Sequence, residues 1–248
     1  MQDLKISLIT VTYNAAATIK RCIESVLAQN YNNLEYIIID GGSTDNTLQI
    51  IAEYSQFINY FVSERDYGIY DAMNKGIKQA TGDIVGTLNA DDVFADNNVL
   101  SCLSAAFEKQ SAAIVYGNLY YINFDGNIIR KWISANYKDG LFNWGWMPPH
   151  PTFYCKRELF ERFGLYNLQY GTAGDYELML RFMHLNKIDS FYLDKVIVNM
   201  TIGGVSNKSY LNRLKAWQFD LKAMRKNGVL FPAITIVFKP LRKIRQYI

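Results

Sequence analysis

Residues 6–47 read ISLITVTYNAAATIKRCIESVLAQNYNNLEYIIIDGGSTDNT. Two apolar runs, Ile6 to Val11 and Tyr36 to Ile39, are short and rich in β-branched residues, which predicts strands buried on both faces. Between them Ile19, Cys22, Ile23, Val26 and Leu27 recur at i, i+3, i+4, i+7 and i+8, the spacing of one helix face. Strand, helix and strand in that order make a βαβ unit and favour parallel pairing. After the second strand, Ser43, Thr44 and Asp45 offer N-caps to a helix carrying Leu48 and Ile51.

The alternation continues to about residue 110, with strands expected at Ile58 to Val62 and Ile84 to Leu88 and a helix around Ala72 to Gln79. Beyond it the pattern changes. Ile114 to Tyr121 and Ile128 to Trp132 flank Asp125-Gly126, a dipeptide suited to a type I′ hairpin and hence to an antiparallel addition. Trp144, Trp146, Pro148, Pro149 and Pro151 interrupt all periodicity and predict an irregular, pocket-forming loop before a strand at Thr152 to Tyr154. Helices are expected near Arg157 to Phe163, Asp175 to Leu185 and Leu211 to Arg225. The expected class is α/β, a mostly parallel sheet with a small antiparallel addition and C-terminal helices.

Composition limits the function. The chain has 248 residues, 50% of them hydrophobic, enough for a substantial core. Cys22, Cys102 and Cys155 form no CxxC pair, so no disulfide framework or structural zinc site is expected, and a reducing, cytoplasmic setting fits. The first residues show no basic n-region or cleavage site, and no segment reaches the roughly 20 apolar residues of a membrane-spanning helix. The net charge of +3 comes from the tail: residues 221–248 carry seven Lys or Arg and no Asp or Glu, leaving 19 basic against 23 acidic residues elsewhere. This distribution argues against a nucleic-acid-binding face.

In open α/β sheets ligands bind beyond the carboxyl ends of the strands. The polar outliers fall there: Thr12-Tyr13-Asn14, Asp40-Gly41-Gly42-Ser43, Glu64-Arg65-Asp66-Tyr67-Gly68 and Asn89-Ala90-Asp91-Asp92 each follow one expected strand. Taken singly, the second and fourth also read as turn chemistry. Together they suggest a site. Adjacent carboxylates after a buried strand repel unless a cation compensates, and Mg2+ or Mn2+ requires such hard oxygen ligands. A metal held by Asp91 and Asp92 would bridge the phosphates of a nucleotide diphosphate.

At these residues the chain resembles the nucleotide-sugar-binding half of family 2 glycosyltransferases of the GT-A class. The resemblance rests on ITVTYN and the following residues to Thr47, on SERDYGIYDAMNKG, ATGD and LNADD within 63–92, and on GTAGDYELMLR at 171–181. His150-Pro151 and Gly203-Gly204-Val205-Ser206 resemble loops near the acceptor site, so coverage extends to about residue 206. The resemblance implies a GT-A domain over 1–206, divided into a nucleotide-sugar half (1–110) and an acceptor and catalytic-base half (111–206), followed by a basic helical tail (207–248). It implies that Thr12, Tyr13, Asn14 and Asp40 hold base and ribose, that Asp66 and Asn74 line the nucleotide and sugar, that Asp91 and Asp92 serve the metal and diphosphate, and that Asp175 is the general base. Two departures stand out: Asn89 replaces the first Asp of the usual DxD, and Gly41 replaces the second Asp of the usual Asp-Asp-Gly-Ser.

The reaction so implied is an inverting transfer from a nucleotide diphosphate sugar, UDP-sugar favoured, to a saccharide or lipid-linked saccharide hydroxyl, in bacterial surface polysaccharide synthesis. Asp175 can also be read as a simple helix N-cap. His150 and Trp146 are the acceptor-side candidates, since aromatic faces pack on sugar rings, although Trp144 and Trp146 can equally fill a core. His184, on an apolar-period helix, reads as structural. The tail run VLFPAITIVF (229–238), interrupted by Pro232 and followed by basic residues, suits the inner face of an anionic membrane; packing on the acidic body or against a second subunit in a homodimer is the alternative. Four other functions compete with this reading. A sugar-phosphate nucleotidyltransferase would need a Gly-rich, basic phosphate loop after the first strand, and a nicotinamide-dependent oxidoreductase a GxGxxG; both are lacking. A glycoside hydrolase would not explain the nucleotide-type sheet edge. A noncatalytic sugar-nucleotide-binding homologue is disfavoured by the intact Asp91, Asp92 and Asp175.

Overall fold

A computed structural model describes residues 4–202, 210–244 and 246. Strands β1 (Ile6–Thr12), β2 (Leu34–Asp40), β3 (Tyr60–Ser63) and β4 (Ile84–Thr87) pair in parallel in the order β3-β2-β1-β4. The side chains of β1 alternate between two cores. Ile9 and Val11 join Ile37 and Ile39 on one face, and Ile6 and Leu8 join Tyr36 and Ile38 on the other. Helix cover on both faces is why these strands read as continuous apolar runs. Helix α1 (Ile19–Leu27) and α4 (Val99–Gln110) cover the second face, while α3 (Ile69–Gln79), α5 (Glu158–Phe163) and α6 (Gly174–Met179) cover the first; α2 (Thr47–Glu53) packs beside α1.

The sheet continues beyond β4 through β8 (Tyr154–Lys156), antiparallel to both neighbours, to β6 (Ile114–Ile122), β9 (Ser190–Thr201) and β5 (Asp92–Phe94), with β7 (Ile128–Trp132) also pairing β6. Three expectations need correction. The β6–β7 turn is not type I′, because Gly126 alone has positive φ there (85°); hydrogen bonds from Gly126 N to Asn123 O and from Asn123 N to Asn127 O close a longer loop ending in a left-handed glycine. The strand expected at Thr152 to Tyr154 starts two residues later, since His150–Thr152 form a 3-10 turn. Pro232 opens α8 (Pro232–Ile244) rather than breaking the apolar run 229–238 from within, a position where its missing N–H costs nothing.

The last helices are packed on the body. Ala223 and Met224 of α7 (Tyr210–Lys226) lie in the same core as β1 and α6. Helix α8 is pinned by the Thr235 hydroxyl, which donates to the Asn143 carbonyl at 2.6 Å, and by Lys239, which meets Asp220 at 2.8 Å. Its other side carries exposed Phe231, Ile234, Val237, Leu241 and Ile244. Among the described residues no helix is long and apolar enough to cross a membrane.

Candidate active site

The loops that leave β1, β2 and β3 are tied to one another by Asp40. Its carboxylate is fully buried and accepts from Gly42 N (3.0 Å), Ser43 N (2.8 Å), Ser43 Oγ (2.5 Å) and Ser63 Oγ (2.7 Å). With those bonds made inside the protein, Asp40 shapes the loop rather than facing a ligand. Asn14 joins the same staple: it adopts positive φ (48°), its amide donates to Ser43 Oγ at 2.8 Å, and its side-chain oxygen accepts from Thr44 N at 2.8 Å. Thr12 is buried with its hydroxyl unpartnered, whereas the Tyr13 side chain is 63% exposed.

Gly41 is explained by Asp66. A Cβ at position 41 would stand 2.5 Å from Asp66 Oδ2 and 3.5 Å from Tyr13 Cδ2. The Asp66 carboxylate, anchored by Gly68 N at 2.8 Å, occupies the space that a side chain on Gly41 would need. Tyr13 and Asp66 therefore converge on one bare patch of backbone.

Asp92 begins β5, opposite Met200 of β9, and is fully buried. Its Oδ2 accepts from Asn89 Nδ2 at 3.0 Å, but Asp92 Oδ1 and Asn89 Oδ1 are buried without partners. Burial pushes the Asp92 carboxyl well above the ordinary carboxylate range and the charge of Asp91 adds to it, against the opposing bonds from Asn89 and the Thr201 amide. Burial likewise raises Asp91, which is only partly covered. Among the described residues no group of three or more His, Cys, Asp or Glu gathers at a metal-binding spacing. Two orphaned oxygens and the Asp91 carboxylate are nonetheless the hard donors that Mg2+ or Mn2+ takes, and such ions commonly complete their shell with substrate phosphates and water.

Asp175 lies inside the first turn of α6, whose N-cap is Ala173, so it is not the cap. Its Oδ1 accepts from Tyr176 N at 2.7 Å and from the Tyr70 hydroxyl at 3.1 Å. Burial, and secondarily the charge of Asp175, pushes the Tyr70 phenol far up, so Tyr70 remains a donor. The Tyr70 ring stacks on Tyr166 at 5.3 Å, and the Tyr166 hydroxyl meets His150 Nε2 at 2.7 Å. Burial lowers the His150 pKa, opposed by the charge of Asp175, so the neutral imidazole is favoured. Asn74 acts behind this group: its amide is spent on the backbone of Tyr166, at 2.8 and 2.9 Å, and does not line an open surface.

Helix α3 thus links the two halves, since it starts just after Asp66 and carries Tyr70 and Asn74. Tyr70 and Tyr166 were not singled out from the sequence, because in a chain with 18 tyrosines nothing in their spacing marks them. Trp146 is largely buried among Tyr116, Tyr137 and Phe142, whereas Trp144 is exposed beside Phe238. His184 packs against Phe142 as expected of a structural residue. The Gly203 to Ser206 loop lies outside the described residues.

Comparison with known proteins bears on the fold and the family. The chain is 31% identical over 219 residues to the PGL/p-HBAD biosynthesis glycosyltransferase of Mycobacterium tuberculosis, covering 84% of this chain and 83% of that protein. It is 31% identical over 196 residues to chondroitin synthase of Escherichia coli, covering 74% of this chain and 28% of that larger protein. Among solved structures, S. aureus TarS 1–349 in complex with UDP superposes with a TM-score of 0.70 at 18% identity, covering 98% of this chain and 72% of that one. The chain spans only 39% of the longer TarS structure. Mannosyltransferase PcManGT from Pyrobaculum calidifontis, in complex with GDP-Man and Mn2+, gives 0.69 at 17% identity, covering 97% and 73%. These likenesses identify the sheet as the GT-A fold. Residues 7–166 match the family described as glycosyl transferase family 2, and the chain belongs to that family and is a glycosyltransferase.

Proposed function

We propose that this enzyme is a metal-dependent inverting glycosyltransferase that takes its sugar from a nucleotide diphosphate donor, a UDP-sugar in the first instance, and works on bacterial surface polysaccharide. The observation that carries this reading is the shared frame of the two halves: α3 joins the Tyr13–Asp66 patch to Asp175 through the Tyr70 hydroxyl. Neighbouring folds solved with UDP and with GDP-Man and Mn2+ support a donor of that class.

Tyr13 offers its exposed face to the nucleotide base, and Asp66 supplies an acceptor for a base N–H at the edge left open by Gly41. Thr12 contributes its unpartnered hydroxyl. Asp40 and Asn14 hold these loops in place. Asp91, with Asp92 behind it, would hold a divalent cation, which supplies positive charge for the diphosphate. Asp175 takes the proton from the acceptor hydroxyl as that oxygen bonds to the anomeric carbon. The bond from that carbon to the diphosphate oxygen breaks on the opposite face and inverts the centre. The hydrogen bond from Tyr70 fixes the carboxylate for this step. His150 and Trp146 are assigned to the acceptor side. The divisions 1–110, 111–206 and 207–248 are proposed as donor half, acceptor half and tail.

The outward apolar face of α8, beside a segment with seven basic residues, is proposed to rest on the anionic inner surface of the plasma membrane. The reaction is tested with UDP-, GDP- and dTDP-sugars and Mn2+. Asp175→Asn should bind donor with unchanged affinity and lose turnover by roughly a thousandfold, within the range of general-base contributions; a wild-type kcat in that variant would remove Asp175 from the role.

A further inference from the structure

Between the end of β7 with the extended segment after it and one side of α8 lies a cavity of about 530 Å3. Lys131, Lys239, Arg242 and Lys243 are among its lining residues, and no Asp or Glu of the described residues lines it. Two further walls are aromatic, Trp132 and Trp146. The mechanism above uses none of the four cations.

Their existing contacts differ. Lys239 is engaged, 2.8 Å from Asp220 and 3.6 Å above the Tyr176 ring. Arg242 donates through Nε to the Trp144 carbonyl at 2.8 Å, which fixes its guanidinium while leaving other N–H groups to donate. Lys131, Arg242 and Lys243 make no ion pair among the described residues. Like charges held together in one wall repel, and the arrangement is stabilised by an anion that several of them share. The pKa of Lys243 is consistent with this: desolvation and the neighbouring Lys239 and Arg130 lower it, against the attraction of Asp220 and Asp175.

The cavity adjoins the reacting side. Tyr176, beneath Lys239, follows Asp175 directly, and the charge of Asp175 reaches Lys243. The wall opposite, α8, presents its apolar face to the outside. We propose that this cavity is a binding site for a phosphate or diphosphate group of the acceptor, held by Lys243 and Arg242 with Lys131 at the rim, while the acceptor sugar packs against Trp132 and Trp146. This rests on the sugar-transfer reading and narrows its acceptor to a phosphorylated one, either a water-soluble sugar phosphate or a lipid-linked saccharide diphosphate.

Tryptophan fluorescence can report it, because the four tryptophans are Trp132, Trp144, Trp146 and Trp217, and none lies in the donor loops. The full chain is titrated with inorganic pyrophosphate in EDTA, so that the donor site has no metal to hold a diphosphate. Saturable quenching is expected, about tenfold weaker in Lys243→Gln and in Arg242→Gln, as loss of a charged hydrogen-bond partner implies. Circular dichroism of each variant checks its folding. No saturable signal in the wild type, or equal affinity in both folded variants, overturns the site. Farnesyl diphosphate then distinguishes the source: tighter binding than pyrophosphate identifies a lipid-linked acceptor, and equal binding a soluble one, each upholding the anion site. UDP binding by the wild type with Mn2+ is measured separately, so failure of the cavity and failure of the glycosyltransferase reading are distinguishable.

Discussion

A single missing side chain shapes the donor site. Gly41 stands where an acidic residue is usual in the family, and the structure gives its space to the carboxylate of Asp66, which reaches over from the loop after β3. In the proposed donor site Asp66 would then take over, from the next loop, the contact to the base. Gly41→Asp should therefore set a second carboxylate against the first, displacing or protonating one of them. We expect UDP affinity to fall about tenfold, the scale of a 1–3 kcal/mol overpacking cost, in a calorimetric titration. Unchanged affinity would detach the Gly41–Asp66 contact from base recognition. The residue types at this edge were legible in the sequence as four polar loops after four apolar runs. The Ser63 bond that ties Asp40 to the next loop and the use of Asn74 as a backbone clamp were not, because they depend on partners 23 and 92 residues away.

The elements of the first half were legible for a simple reason: β1, β2 and β4 are buried along their length, and α1 and α3 each show one apolar stripe. Strand β9 escaped notice because Asp194-Lys195 breaks its apolar run. There the β6–β9 register shifts between Tyr116 and Asn118, and Asp194 is satisfied by Asn118 Nδ2 at 3.1 Å. Helix α4 shows Val99, Leu100, Leu103, Ala106 and Phe107 at helical spacing, so its signal was present in the sequence. At the far end of the sheet Glu35 ties β1, β2 and the 81–82 turn together. Burial alone would raise its carboxyl, but bonds from Ser7, the Thr81 amide and hydroxyl, and Lys5 outweigh that and hold the pKa at about 2. A carboxylate whose folded pKa is depressed contributes stability that is present above its unfolded pKa, near 4.5, and is lost as pH falls toward 2. Denaturant titrations should show that loss over this window in the wild type, on the order of 2 kcal/mol, and a flatter pH dependence in Glu35→Gln. Identical pH profiles would mean that Glu35 does not couple the two strands.

At the scale of the molecule, the fold class was readable from the βαβ start, whereas the relation of the tail to the body was not. Apolar residues of α7 and α8 could be counted but not assigned to a face, and the structure divides them. Ala223, Met224 and Thr235 turn inward, and Phe231, Ile234, Val237 and Leu241 turn outward. Packing on the body and an exposed apolar stripe therefore coexist. The full chain should co-sediment with vesicles containing an anionic phospholipid and lose most of that binding in Ile234→Glu/Val237→Glu, whose sites are exposed. Equal sedimentation of both proteins, or concentration-dependent dimerisation abolished by the same changes, would assign the face to something other than a membrane.

Asp91 and the oxygens behind it are proposed to serve a divalent ion between protein and nucleotide. Calorimetric titration of UDP into the wild type and Asp91→Ala, each with Mn2+ and with EDTA, tests it directly. The account predicts saturable binding only for the wild type with Mn2+; equal UDP affinity in all four titrations would contradict it.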